Sequence, residues 1–193
     1  DLVARFVNIP PEAVDEAIVD CQRQLVLALG LDRSALFELV GDDMVYTTHS
    51  WTRPEFGGPL PANSGAATFP WYYARVRAGQ PTVVADTRDL PSAVDRDTLL
   101  RVGTKSNVVL PLIVGGSPIG ALTFAAVRAY RSWPDPLVGR LRLVADVFAQ
   151  ALARRRAHVE LQGAFAELGR LRDLLARENE VLHREVKALR PYG

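Results

Sequence analysis

The chain has 193 residues, 48% of them hydrophobic and 23% charged, with 14 glycines and 13 prolines. These proportions exclude a disordered, collagen-like or disulfide-stapled chain and allow one domain plus an extension. With 23 basic and 22 acidic residues the net charge is +1, which removes the electrostatic footprint of a segment that itself grips nucleic acid or an anionic membrane.

The first predicted element is a helix. Pro10-Pro11-Glu12 marks its start, Gly30 its stop, and Val14, Ile18, Cys21, Leu25 and Leu29 recur between them as one apolar stripe. Cys21, the single cysteine, sits on that stripe as a small core residue. Alone it makes neither an intramolecular disulfide nor a multi-cysteine metal site, and it fits a reducing, cytoplasmic setting. Residues 33–40 and 44–51 are rich in aliphatic, aromatic and β-branched types, and Gly41-Asp42-Asp43 between them supplies turn chemistry, so they read as a hairpin. Residues 53–65, with their glycines and prolines, read as a long surface loop.

A short helix starting at Phe69-Pro70-Trp71 and ended by Gly79 follows, then a brief strand at 82–84 and another short helix over 93–102. Residues 107–114 and 119–127 form the clearest strand pair, turned around Gly115-Gly116-Ser117-Pro118. Their nearly continuous apolar character places them mid-sheet with both faces covered. The resulting class is α+β, an antiparallel sheet flanked by helices. No apolar run approaches the roughly 20 residues that a bilayer-crossing helix needs.

From Pro134 to Arg190 no proline interrupts a helical pattern. Its first part has the broad apolar stripe of a helix packed on a sheet, through Leu137, Leu141, Val144, Phe148 and Leu152. The period then becomes seven: Leu161, Leu168, Leu175, Leu182 and Leu189 take d positions, with Phe165, Arg172, Asn179 and Val186 at a. Leucine at d and one asparagine at a favour a parallel, in-register pair, and Glu178 and Glu185 at g face His183 and Arg190 at e of the other helix. The expectation is a globular domain over 3–158 and a homodimeric coiled coil over 159–190, in a piece of a longer protein that starts at Asp1 and stops at Gly193.

No catalytic constellation is found. Gly103-Thr104-Lys105-Ser106 ends like a phosphate loop but lacks its first glycine and precedes a strand. The three histidines, His49, His158 and His183, are isolated, so neither an enzyme nor a metal site is expected. His49 is read as a buried, hydrogen-bonded side chain in preference to an axial haem ligand. A small-molecule pocket is expected around the long loop, from Trp51, Phe69, Trp71, Tyr72 and Tyr73 with Arg53, Arg75 and Lys105 as anion partners and Asn107 beside them.

The order of elements, with Gly30-Leu31-Asp32-Arg33-Ser34, Lys105-Ser106-Asn107, Leu110-Pro111-Leu112, Ile119-Gly120-Ala121-Leu122, Arg131-Ser132-Trp133 and Ala151-Leu152-Ala153-Arg154, resembles a GAF domain over about residues 3–158. It is similar to those at the front of sigma-54-dependent activators, the formate hydrogenlyase activator group among them, and of some sensor histidine kinases. Leu168-Gly169-Arg170-Leu171-Arg172-Asp173 and the Glu178-Asn179-Glu180 that follows are similar to the linker into an AAA+ ATPase domain. The resemblance implies ligand control of a separate output domain that handles ATP, sigma-54 and DNA; the alternatives are the sensor module of a histidine kinase and a purely structural dimerisation module without ligand. It leaves the ligand and any cofactor unassigned. Cys21 is on the wrong element for a bilin carrier, and one cysteine is too few for the methionine sulfoxide reductase branch.

Overall fold

The computed structural model describes residues 6–56 and 63–188. After a 3-10 turn at Pro11–Ala13 come helix α1 (Val14–Ala28) and strands β1 (Arg33–Val40), β2 (Met44–Thr52) and β3 (Asn63–Gly65). Helix α2 (Pro70–Arg77), strand β4 (Thr82–Val84) and helix α3 (Ala93–Arg101) follow. The chain then forms β5 (Ser106–Val114), β6 (Ser117–Ala126) and the 54-residue helix α4 (Asp135–Ala188). The six strands lie in the order β3-β2-β1-β6-β5-β4, every neighbouring pair antiparallel. The expected α+β class and antiparallel sheet are therefore present. Two compact units divide the chain after Ala153.

Punctuation by glycine accounts for most element ends. Gly30 closes α1 at φ 64°, and Gly115 and Gly116 at φ 57° and 79° form the two-residue turn between β5 and β6, a geometry that disfavours a side chain at either position. The stretch 53–65 departs from a plain loop: Pro54–Phe56 is a 3-10 turn, and Asn63–Gly65 pairs with Met44, Val45 and Tyr46 as a three-residue edge strand. Asn-Ser-Gly has no strand propensity of its own; backbone pairing to β2 makes it a strand.

One sheet face carries the main core. Ile18 and Val26 of α1 and Leu141, Phe148 and Leu152 of α4 pack against Leu36, Leu110, Leu122 and Phe124, all essentially inaccessible to solvent. Cys21 belongs to this cluster, as does Phe6, whose ring sits 5.1 Å from that of Phe148. His49 is buried on this side, with Nδ1 2.8 Å from Thr48 Oγ1 and Nε2 2.8 Å from Asp15 Oδ1. Both ring nitrogens are thus occupied, as the hydrogen-bonded reading required. Gln22 is also fully buried here, and neither of its amide atoms meets a protein partner.

Asp32, between α1 and β1, fastens the sheet. Its buried carboxylate accepts from Val127 N at 2.7 Å, Arg128 N at 3.0 Å and Arg128 Nε at 2.6 Å, while its own N–H donates to Ala125 O at 3.1 Å. Burial alone raises this carboxyl's pKa, but the two backbone N–H groups and the Arg128 guanidinium outweigh it, so the net shift is below the usual carboxylate value.

Two outcomes are expected. A Cβ on Gly120 would lie 2.0 Å from Phe37 O in the adjacent strand, so Gly120→Ala forces β1 and β6 apart and lowers stability by about 2–4 kcal/mol, measurable as a drop of about 5–15 °C in Tm. Because Asp32 has a lowered pKa in the folded state, its stabilisation is complete above the unfolded value of about 3.9 and is lost as pH falls through the folded value. Asp32→Asn therefore costs about 1.5–3 kcal/mol at pH 7. In urea titrations the gap from the parent closes below about pH 4.

Candidate functional site

Period-two alternation splits the strands between two environments. On β6, Leu122 and Phe124 enter the main core, while Ala121, Thr123 and Ala125 face the other way. These three small residues cannot fill the space beneath α2 and α3, and a cavity of about 280 Å³ results. Its floor continues sideways through Asn107 and Val109 of β5 and Arg33, Phe37 and Leu39 of β1. The roof is Phe69, Tyr72, Tyr73 and Val76, spaced i, i+3, i+4 and i+7 so that they share one face of α2, together with Thr98 and Leu99 of α3. The volume is just below the roughly 300–1,000 Å³ usual for small-molecule sites, and the lining is mostly apolar.

The roof is held by one carboxylate. Helix α2 has no side-chain cap of its own. The buried Asp95 of α3 replaces it, accepting from Trp71 N at 3.2 Å and Tyr72 N at 3.1 Å while Ser92 Oγ donates to its Oδ2. A negative charge at exposed helix N–H groups is favourable both as a hydrogen bond and against the helix dipole. Asp95 thereby fixes the two roof helices to each other. Tyr73 ties the far side down by donating its hydroxyl to Asp42 O in the β1–β2 turn.

Besides the hydroxyl residues Thr47, Ser64, Thr68, Thr98, Thr104 and Thr123, larger polar groups enter the cavity at two places. The Tyr72 hydroxyl donates to Asn107 Oδ1 at 2.8 Å. Burial, only partly offset by that hydrogen bond, pushes the phenol pKa well above its ordinary value, so it stays protonated. Arg33 is the other. It is 8% exposed, and its Nε has no hydrogen-bond partner. Burial pushes the guanidinium below its ordinary pKa and the neighbouring Asp32 acts in the opposite direction, yet an arginine so shifted remains a cation at neutral pH.

Of the residues singled out from the sequence, Phe69, Tyr72, Tyr73 and Asn107 line this cavity; Trp51, Arg53, Trp71, Arg75 and Lys105 do not. Trp51 lies across the ladder from Ser34 and packs against the main core, because cross-strand partners share a face. Arg53 donates to Leu31 O at 2.7 Å. Trp71 and Arg75 are an i, i+4 pair beside the roof face, with the guanidinium 5.2 Å from the indole centroid and donating to Thr82 Oγ1 and Pro81 O. Lys105 donates to Arg128 O at 2.9 Å. Arg33 and the small-residue floor carry no such mark in the sequence reading. A lone arginine in the apolar run of β1, in step with Phe37 and Leu39, was the signal for the first.

Among the described residues no cluster of three or more metal-ligating side chains occurs, and no helix is long and apolar enough to cross a membrane. A family model for the GAF domain matches residues 15–152. Among solved structures, the phycocyanobilin-bound GAF domain of a cyanobacterial phytochrome superposes with a TM-score of 0.69 at 15% identity, covering 81% of this chain and 94% of that one. The GAF region of a putative membrane protein from Geobacter sulfurreducens PCA gives 0.62 at 16% identity, covering 72% and 93%. The blue-light-absorbing form of the Thermosynechococcus elongatus PixJ GAF domain gives 0.62 at 16%, covering 81% and 91%. No curated protein matches the chain in sequence.

Proposed function

The chain belongs to the GAF domain family, and on that premise we propose that it is the sensory domain and dimerising helix of a cytoplasmic, sigma-54-dependent transcriptional regulator. A small molecule enters the cavity under α2 and α3 and favours one arrangement of a domain pair; the helix passes that bias to an AAA+ output domain that handles ATP, sigma-54 and DNA. The protein acts by binding and not by catalysis.

The observation that carries this reading is that one helix does two jobs. The start of α4 is built into the main core through Leu141, Phe148 and Leu152. In the second unit the same helix leaves Leu161, Leu168, Leu175 and Leu182 between 56% and 62% exposed, with Phe165 and Val186 exposed beside them. Leucines repeated every seven residues and left in water are a large unpaid hydrophobic term, each contributing about 1.5–3 kcal/mol when a partner helix covers it. Asn179, exposed on the same heptad register, selects the in-register parallel pair. Leu189 and Arg190 lie outside the described residues.

Two of the similar structures are bilin or blue-light photoreceptor domains. A thioether-linked chromophore does not suit this chain, since Cys21 is buried in the main core on the opposite side of the sheet from the cavity. A free small molecule fits the reading better.

Light scattering of the 193-residue chain is expected to give a dimer, and Leu168→Ala with Leu175→Ala a monomer that keeps its fold by circular dichroism; an unchanged dimer rejects the coiled coil. For the output, the codons following Gly193 in the gene are expected to lead into a Walker ATP-binding motif. A phosphoacceptor histidine in their place assigns the module to a sensor kinase.

A further inference from the structure

The chemical class of the ligand follows from a buried cation one of whose donors the fold leaves without a partner. This inference rests on the reading of the cavity as the ligand site. Arg33 is 8% exposed, lines the cavity, and has an Nε that no protein group meets. The nearest carboxylate in sequence, Asp32, is already engaged by Val127 N, Arg128 N and Arg128 Nε. Asp95, the acid above the cavity, is committed to the N–H groups of Trp71 and Tyr72 and to Ser92. Glu38 lies between the lining residues Phe37 and Leu39 on β1 and is not itself part of the cavity lining.

A buried cation with an idle donor is costly unless something anionic joins it. A second polar atom is idle at the same place: Thr52, directly across the ladder from Arg33, has a buried Oγ1 without a partner. Apart from hydroxyl residues such as Thr98 and Thr123, most of the remaining lining is apolar. Ala121, Val109, Phe37 and Leu99 present apolar surface to whatever extends from Arg33. At the far end Asn107, which flanks Ala125 on the side away from Arg33, has its Oδ1 taken by Tyr72 and its amide N–H groups free of that bond.

We propose that the cavity takes a small amphipathic organic carboxylate, its carboxylate paired with the Arg33 guanidinium and its apolar body lying over the alanines of β6. Guanidinium and carboxylate match in geometry as two parallel N–H···O bonds, which a neutral head group cannot reproduce. The cavity size restricts the body to a short aliphatic chain or a single ring.

The test uses the whole 193-residue chain and two matched probe sets, hexanoate and benzoate against hexanamide and benzamide, followed by isothermal titration calorimetry. The carboxylates are expected to bind about tenfold or more tighter than the amides. Arg33→Gln is expected to abolish that preference, leaving the amides unchanged, and to raise the Tm of the ligand-free protein, since it removes a buried cation with an unmet donor. An arginine that merely supports the fold would lower Tm on replacement. In the parent protein, the Arg33 Nε–H proton resonance is expected to move downfield on saturation with benzoate, a readout independent of any variant. Equal binding of carboxylates and amides, or a stationary Nε–H resonance at saturation, overturns the anion assignment and leaves the cavity as a ligand site. Failure of both probe sets to bind overturns the cavity reading and the assignment together.

Discussion

The unequal volume of the two faces of β6 is the constraint on which the rest of this domain depends. Leu122 and Phe124 fill one side so completely that α1 and the start of α4 have no freedom in how they pack. Ala121, Thr123 and Ala125 leave the other side short of atoms. Helices α2 and α3 cannot sink onto that floor, because their height is set elsewhere: by Asp95 at the N-terminus of α2 and by Tyr73 on the β1–β2 turn. A void under a braced roof survives where a void under a free helix would collapse. Gly120 extends the same logic to the backbone, its missing side chain letting β6 run within contact of Phe37 O.

Charge is organised on the same plan. The acids that hold the architecture, Asp32 and Asp95, are saturated by donors from backbone and side chain. Arg53, Arg75 and Lys105 are spent on carbonyl and hydroxyl oxygens outside the cavity. Arg33 is the exception, a cation placed on the sheet beside a carboxylate whose donors are already chosen. Natural cores retain such a group when its partner arrives from outside.

Period and punctuation made the scaffold legible. Both hairpins, both short helices and the long helix announce themselves through alternation, heptads and glycine stops, and the strand at Thr82–Val84 through its β-branched run. The site was harder because lining a cavity is a tertiary property. Trp51 and Lys105 looked suitable by residue type and closeness to the loop, yet ladder register sends Trp51 to the core and hydrogen bonding sends Lys105 to Arg128 O. Phe69, Tyr72, Tyr73 and Asn107 are legible because an aromatic face and an amide in an apolar strand are local signals. Asp95 gave none: a carboxylate in the first turn of a helix reads as an ordinary surface residue until the neighbouring helix is seen to lack a cap.

The sheet is two local hairpins, β1–β2 and β5–β6, joined along a single seam between β1 and β6. That seam links positions as far apart as Ser34 and Thr123, whose contact spans 89 residues, so its loop-closure entropy is met only when the intervening chain has been gathered in. Arg33 stands on one side of the seam and Ala125 on the other, and the cavity floor is shared between them. The site therefore has no existence in either hairpin alone. A molecule bound there would bridge the two hairpins, so the proposed ligand would stabilise the one join that neither hairpin can make by itself.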